Sequence, residues 1–594
     1  MKSLKLKSII LVLSAVIFAF NLIACKPRVD PDSKIDKTKQ QIYVSVYLGG
    51  HGSQWADDAA KEYNKLIAGD GYEVIIQEEK RVSTDIIAEI KTGRCKDMYI
   101  SADSNFITGI YGNNLEDLTD VWNTKPDADG PTVGEKMTRP EEWLDVYRNN
   151  ITGKGVYALP YFDAITGLVY DHQLFVEKEW CLFANAATDG AKLTAQGIEY
   201  TNQSGRLVFV SSSGRTNYKP GDYILTAGKD GKYGTYDDGQ PVGETQWADM
   251  LDRITQSKRG GYPNVPFIWS GEIKDYVTDI YSALFAQYGG PDDFNTYFNY
   301  DSGGKNVSLQ TSDGPVEKPI SVTNGYDVFK MQSLVRAYEF LKTYFTPDDH
   351  VHSATEDTTV NHLAAQKLFL SGFLGSSSNR EAAMLVEGAW WEYEARNVFK
   401  DIEKSYDSER GYGMRDYRYM LLPDLTGQKA GKTYFGCGES GVIVIPKIPN
   451  NTETKLALTK EFLLFVYKDE TLRHTTKITG NVFPMNYALT EDDRAGMTPF
   501  ARNMLDIYYD EEHIGIARSR LAVLRSPINY LGRVSNHAFP VSISQVITVQ
   551  VVEVAKKNSI ESIKTALQNT YTSTNWPAFI STCKANGFFP DIIL

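Results

Sequence analysis

Gly155-Val-Tyr-Ala-Leu-Pro-Tyr-Phe-Asp-Ala-Ile-Thr-Gly-Leu-Val-Tyr170 is the stretch on which the reading of this chain turns. It holds two strand-like runs joined through Pro160 and Gly167, and here the chain is expected to pass from one lobe into another. Upstream, Ile42 to Leu48 alternates as a strand of β-branched and aromatic residues and breaks at Gly49-Gly50-His51-Gly52. A helical pattern then runs from Gln54 to Ala68, with Ala59, Tyr63, Leu66 and Ile67 on one face. Ser53 is placed to cap it, Asp57 and Asp58 suit its positive end, and Gly71 closes it. A strand at Glu73 to Gln77, a helix at Thr84 to Thr92 closed by Gly93, and a strand at Asp97 to Ser101 complete a βαβ series. Its ligand-facing loops are expected at the carboxyl ends of the strands, where Asp103 lies.

Between this lobe and the crossing, residues 123–150 read as a polar surface excursion with a short helix at Glu141 to Tyr147. Downstream, 177–266 is rich in Gly and Asp, with weak periodicity, and reads as an insertion in the second lobe. Helical patterns return at Thr278 to Tyr288, Asp327 to Tyr344, Val360 to Leu370 and Thr454 to Tyr467, with a last helix at Ser559 to Gln568. No internal repeat is visible.

With 594 residues, 42% hydrophobic and 23% charged, the chain is long enough for two or more cores. Its formal net charge is -13, and removing a lysine-bearing leader makes the remainder more acidic still. That balance argues against nucleic acid and against an anionic membrane surface as partners. Aromatic residues make up 12% of the chain, with 36 Tyr, 26 Phe and 9 Trp. Such residues pair an apolar face with a polar tip and so suit sugar rings, although they also fill large cores. Cys95, Cys181, Cys437 and Cys583 are scattered without metal-ligand spacing and read as small buried thiols, with no disulfide assigned.

The N-terminus carries an address. Lys2, Lys5 and Lys7 precede the apolar run Ile9 to Phe20, and Leu22-Ile23-Ala24-Cys25 follows. The run is too short for a bilayer span of roughly 20 residues, and it has the parts of an export signal. Leu22-Ile23-Ala24-Cys25 resembles the bacterial lipobox. That implies cleavage after residue 24, lipidation of Cys25, a tether over residues 25–41 and a place on the extracellular face of the cell membrane.

Three further stretches fall in order along the chain: Val156-Tyr-Ala-Leu-Pro160 with Gly167-Leu-Val-Tyr-Asp171; Glu381-Ala-Ala-Met-Leu-Val-Glu-Gly-Ala-Trp-Trp391; and Gly441-Val-Ile-Val-Ile-Pro446 with Leu456 to Val466 and Gly480-Asn-Val-Phe-Pro484. Together they resemble extracellular solute-binding proteins of the maltose-binding type. The resemblance implies an α/β, two-lobed periplasmic-binding-protein-like fold of type II with an interlobe ligand cleft. Lobe one would comprise 42–163 and 438–495, and lobe two 164–437 and 496–594. It also implies a monomer that hands a sugar to the transmembrane subunits of an ABC permease, with no catalysis and no cofactor. The chain is longer than usual members, which puts ligand size and class in doubt more than the fold.

A sugar site needs flat aromatic faces and carboxylates or amides in a concave cleft. The candidates are Trp55, Asp103, Tyr161, Phe162, Asp163, Trp269, Trp390 and Glu439. Trp390 and Trp391 cannot both face one way in an extended segment, so one is expected at the cleft and the other in the core. Asp230 to Gly239 looks like a calcium loop, but its carboxylates miss the alternating positions of an EF-hand and a plain turn is expected. Asp348-Asp349-His350-Val-His352 lacks a further adjacent ligand and reads as a loop. No metal site is assigned. Two rival readings stay open: an exported glycoside hydrolase, since a pair of carboxylates in an aromatic cleft also describes one, and a sugar- or peptide-binding lipoprotein with no transporter. His-Glu-x-x-His and Gly-x-Ser-x-Gly are absent from the sequence, and Gly427 to Thr433 has one residue too few between its glycines for a phosphate loop.

Overall fold

The computed structural model describes residues 35–80, 83–101, 114–138, 155–211, 219–311, 314–374, 380–518, 551–569 and 572–585. Cys25, most of the tether, Asp103 and the helix expected at 141–147 lie outside these residues. The elements that position the site are, in chain order, β1 (Gln40–Tyr47), α1 (Gln54–Leu66), β2 (Tyr72–Glu79), α2 (Ser83–Thr92), β3 (Met98–Ser101), β4 (Leu159–Asp171), β5 (Val265–Ile268), α3 (Asp275–Asn299), α4 (Gln332–Tyr344), α5 (His362–Ser371), β6 (Ala382–Gly388), β7 (Tyr417–Met420), β8 (Thr433–Val444), α6 (Glu453–Val466), α7 (Asp469–Thr479), α8 (Pro499–Tyr509) and β9 (Ile514–Ala517). The architecture is α/β, as expected.

A nine-stranded sheet runs in the order β2-β1-β3-β8-β4-β6-β5, with β7 also pairing β4 and β9 also pairing β8. β1, β2 and β3 are parallel, while β8 is antiparallel to both β3 and β4. All 13 residues of β4 are buried. The two runs expected there form one unbroken strand. Pro160 is tolerated as the second strand residue, near the end where a missing N–H costs least. Gly167 is required by packing, since a Cβ there would lie 2.9 Å from both Phe435 and Tyr419 rings.

Along β4 the core changes. Leu159, Tyr161, Phe162 and Ala164 pack with β1, α1 and α6 through Val44, Val46, Ala59, Tyr63 and Phe462. From Ile165 onward the strand is covered on both faces: Leu168 and Tyr170 face α3 and α4, while Ile165 and Val169 face α8. β8 makes the same passage in reverse, with Phe435 and Cys437 in one lobe and Val442, Ile443 and Val444 in the other. The register between β8 and β4 shifts at Cys437/Glu439 and at Gly441/Val442, so two irregularities flank the midpoint of the crossing.

Glycines make this crossing possible. At Gly436 a Cβ would lie 2.0 Å from the Asp279 carbonyl oxygen, and at Gly438 it would lie 2.4 Å from the Asp279 carboxylate. The start of α3 therefore rests directly on β8, and Thr166 Oγ1 donates to Asp279 at 2.8 Å. Beside it, Asp163 pairs with Arg518 at 2.7 Å, their side chains 0% and 4% exposed, and accepts from Tyr508 Oη at 2.9 Å.

Several expectations differ in detail. Ser53 stands at the α1 N-cap position but donates to Glu78 at 2.5 Å and does not cap the helix. α3 breaks at Gly290 (φ 73, ψ 177) and Pro291 but resumes to Asn299. The single helix expected over Asp327 to Tyr344 is a 3-10 segment, Val322–Lys330, followed by α4. Within the 177–266 insertion, Leu193, Leu207, Phe209, Ile224 and Tyr233 form a small core of their own, and an unforeseen helix, Glu244–Gln256, buries Trp247, Met250, Leu251 and Ile254. A further helix, Trp576–Ala585, follows the one expected to be last, and Trp576 Nε1 donates to the Val322 carbonyl at 2.7 Å.

Three substitutions test the crossing by urea unfolding. Gly436→Ala forces a methyl against backbone and is expected to cost about 3 kcal/mol, whereas Gly431→Ala, with nothing within 4 Å, is expected to cost less than about 1 kcal/mol. Asp163→Ala leaves the Arg518 charge buried without its carboxylate and is expected to cost about 3–5 kcal/mol.

Candidate ligand-binding site

The turn after β1 is almost free of side chains: Gly49, Gly50 and Gly52 surround His51, and Gly52 takes φ +62, a conformation open chiefly to glycine. That bareness is used. A Cβ at Gly50 would lie 2.0 Å from Trp390 Cδ1, and one at Gly388, in the other lobe, 2.2 Å from Trp390 Cη2. The indole is thus held between two glycine backbones, one from each side of the crossing. Gly52 faces Tyr393, whose Cε1 lies 3.2 Å from an ideal Cβ there.

Other rings complete the arrangement. His51 meets Phe162 edge-on at 4.6 Å and Trp390 at 6.1 Å, and Tyr276, in the first turn of α3, meets Trp390 at 5.8 Å. Phe162 is seated over Gly441, where a Cβ would come within 2.3 Å of its ring. Trp390, Tyr276 and Tyr393 remain half-buried, while His51, Tyr161 and Phe162 are buried. One lobe therefore supplies a floor, and the other a partly open aromatic wall.

Behind the wall lies a polar chain. Gln366 Nε2 on α5 donates to Glu394 at 2.8 Å and approaches Glu387, in β6, at 3.4 Å; His362 Nε2 is 3.5 Å from Glu394. Burial, reinforced by the charge of Glu394, raises the Glu387 carboxyl well above the usual carboxylate range, and burial raises Glu394 as well. Burial alone pushes the His51 imidazole down to about 3, so the ring is neutral at pH 7.

The residues expected from sequence fall into distinct places. Tyr161, Phe162 and Trp390 come together at the junction. Trp55 is fully buried behind them, stacked on Tyr161 at 5.2 Å, so it backs the floor and does not face a ligand in this conformation. Asp163 is committed to Arg518 and Tyr508, and Trp269 is 3% exposed within the core of the second lobe; neither is free for a ligand here. Glu439 lies opposite Ala164 in β8, and its side chain is outside the described residues, as is Asp103. Trp391 is in the core, while Trp390 precedes a short helical turn and stays at the junction. His51, Tyr276, Tyr393, Glu387 and Glu394 were not anticipated. His51 stood in the glycine turn already singled out, and a polar ring between glycines was the signal available there.

The loops at 230–239 and 348–352 use polar groups internally. Asp237 accepts from the Lys229 and Asp230 amides at 2.6 and 3.1 Å, and Asp238 from Gly234 at 2.7 Å. His352 Nδ1 accepts from the Ala354 amide at 3.1 Å, and His350 Nδ1 bonds the Tyr344 carbonyl at 2.9 Å. Among the described residues no group of three or more His, Cys, Asp or Glu could hold a metal ion.

No family model matches the chain, and no curated protein matches it. Among solved structures, a chitin oligosaccharide binding protein is similar at 12% identity and a TM-score of 0.49, over 90% of this chain and 99% of its own. The apo form of RafE from Streptococcus pneumoniae is similar at 10% identity and a TM-score of 0.49, over 90% and 98%. The ABC substrate-binding protein Lmo0181 from Listeria monocytogenes, solved with cycloalternan, is similar at 13% identity and a TM-score of 0.47, over 91% and 99%. Likenesses at these levels leave the question of what this chain binds to its own residues.

Proposed function

We propose that this chain is a lipid-anchored receptor on the outer face of the cell membrane, which captures a neutral oligosaccharide between its lobes and delivers it to an ABC permease. The observation that carries the reading is the Trp390 wall. A half-buried indole, met by Tyr276 and facing a glycine turn of the other lobe against which Tyr393 also lies, offers flat apolar faces at a junction joined by two extended strands. Sugar rings present an apolar face of matching shape, and hinge closure around them sequesters both surfaces. The lipobox-like Leu22-Ile23-Ala24-Cys25 supports export and anchoring, and the acidic net charge of -13 disfavours polyanionic ligands.

A second reading rests on Glu387 and Glu394. Two neighbouring carboxylates behind an aromatic wall also suit hydrolysis of a glycosidic bond. Gln366 and His362 already engage Glu394, and Glu387 is 1% exposed, which favours a supporting role for the pair.

The test is a thermal-shift screen of the chain from Lys26 onward against mono- and oligosaccharides, with recovered sugar analysed by chromatography. Saturable stabilisation is expected, equivalent to about 2.7 kcal/mol at a hundred times Kd, with the sugar intact. Cleaved sugar would move the assignment to the hydrolase reading, and no shift across the panel would remove the sugar assignment. Trp390→Ala is expected to weaken binding of the best ligand by about 2 kcal/mol, roughly thirtyfold, in calorimetric titration.

A further inference from the structure

His51 is 5% exposed, and neither ring nitrogen has a hydrogen-bond partner among the described residues. Its surroundings are rings: Phe162 at 4.6 Å, Trp390 at 6.1 Å and Tyr161 at 6.4 Å. A phenylalanine or leucine would fill such a nest without stranding two polar atoms, and a buried polar atom left unpaired is destabilising. The position is therefore poorly explained by packing.

Its location supplies an explanation. His51 belongs to the bare turn of the first lobe, and the ring that covers it, Trp390, belongs to the second. Parting of the lobes at the β4–β8 crossing would lift the indole from Gly50 and uncover the imidazole in one movement. A neutral imidazole has one N–H donor and one acceptor nitrogen, and a pair of neighbouring sugar hydroxyls can satisfy both.

We infer that His51 is a ligand-contacting, specificity-determining residue that binds two adjacent hydroxyls of a neutral sugar, one through each ring nitrogen, while Trp390 covers the ring's apolar face. This rests on the sugar-receptor reading above. Among the described residues the titratable groups near the ring include Tyr161 on β4, Tyr276 on α3, Tyr393 beside Gly52, and Glu78, which Ser53 engages. Burial favours the neutral form of the imidazole in this conformation. Exposed by opening, the ring regains an ordinary value near 6.5. Binding that requires neutral His51 is then complete about one unit above that value, is halved at it, and weakens below it by up to tenfold per pH unit.

The experiment compares the natural protein with His51→Phe and His51→Gln by calorimetric titration of the best-binding oligosaccharide of the panel, from pH 7.5 to 5.5, with a ligand-free melting curve for each. His51→Phe is expected to melt at or above the natural protein, to bind at least tenfold more weakly, and to lose the acid-side decline in affinity. His51→Gln, which keeps a donor and an acceptor, is expected to retain part of the affinity and also to lose the decline. Should His51→Phe fail to fold, the His51→Gln pH profile decides. Unchanged affinity and an unchanged pH profile in the variants would make His51 a core residue and overturn this inference alone. A natural protein that binds no sugar would overturn both this inference and the receptor reading.

Discussion

The antiparallel pairing of β4 with β8 is the constraint on which the rest of the structure depends. Each strand begins in one hydrophobic core and ends in the other, so the same ladder of hydrogen bonds belongs to both lobes. A strand buried over its whole length, as β4 is, leaves no unpaired backbone to water and fixes register strongly. The irregularities at Cys437/Glu439 and Gly441/Val442 relax that register only around the midpoint. Gly436 and Gly438 then let α3 lie against the strand, which brings Tyr276 to the junction.

The buried Asp163–Arg518 pair sits on this crossing and illustrates a division of labour. A charge pair so enclosed adds little net stability over apolar packing, but its geometry admits few alternatives. Charges hold the crossing, whereas the surfaces that meet across the junction are rings and glycine backbone. Ring faces against bare backbone make non-directional contacts that separate without stranding charge. The two polar nitrogens of His51 are the exception, and their placement among the rings gives that residue its interest.

Much of the α/β framework was legible because periodicity and glycine punctuation report local backbone preference directly. α1, β2, α2, α6 and the strand at Ile42 to Leu48 emerged within a few residues of their observed limits. The helix Glu244–Gln256 was equally amphipathic, with Trp247, Met250, Leu251 and Ile254 on one face, but it lay among turns that masked its period. β4 read as two runs because Pro160 and Gly167 look like breaks until their neighbours in space are known: Val442 opposite the proline, and two aromatic rings against the glycine. The site was legible only in part for the same reason. Tyr161, Phe162 and Trp390 could be chosen as rings beside turns or at the crossing, but Trp269 met the same criterion, and Asp163 stood at the crossing as a candidate carboxylate. Only tertiary contacts separate an aspartate joined to Arg518, 355 residues away in sequence, from one free to receive a hydroxyl.

The most direct measurement is a crystal structure of the chain from Lys26 onward, grown with an oligosaccharide that stabilises it in solution. An intact sugar ring is expected to lie on the Trp390 indole, with hydroxyls within hydrogen-bonding distance of both His51 nitrogens and the indole displaced from Gly50. A sugar bound elsewhere on the protein, with Trp390 still seated between Gly50 and Gly388, would contradict it.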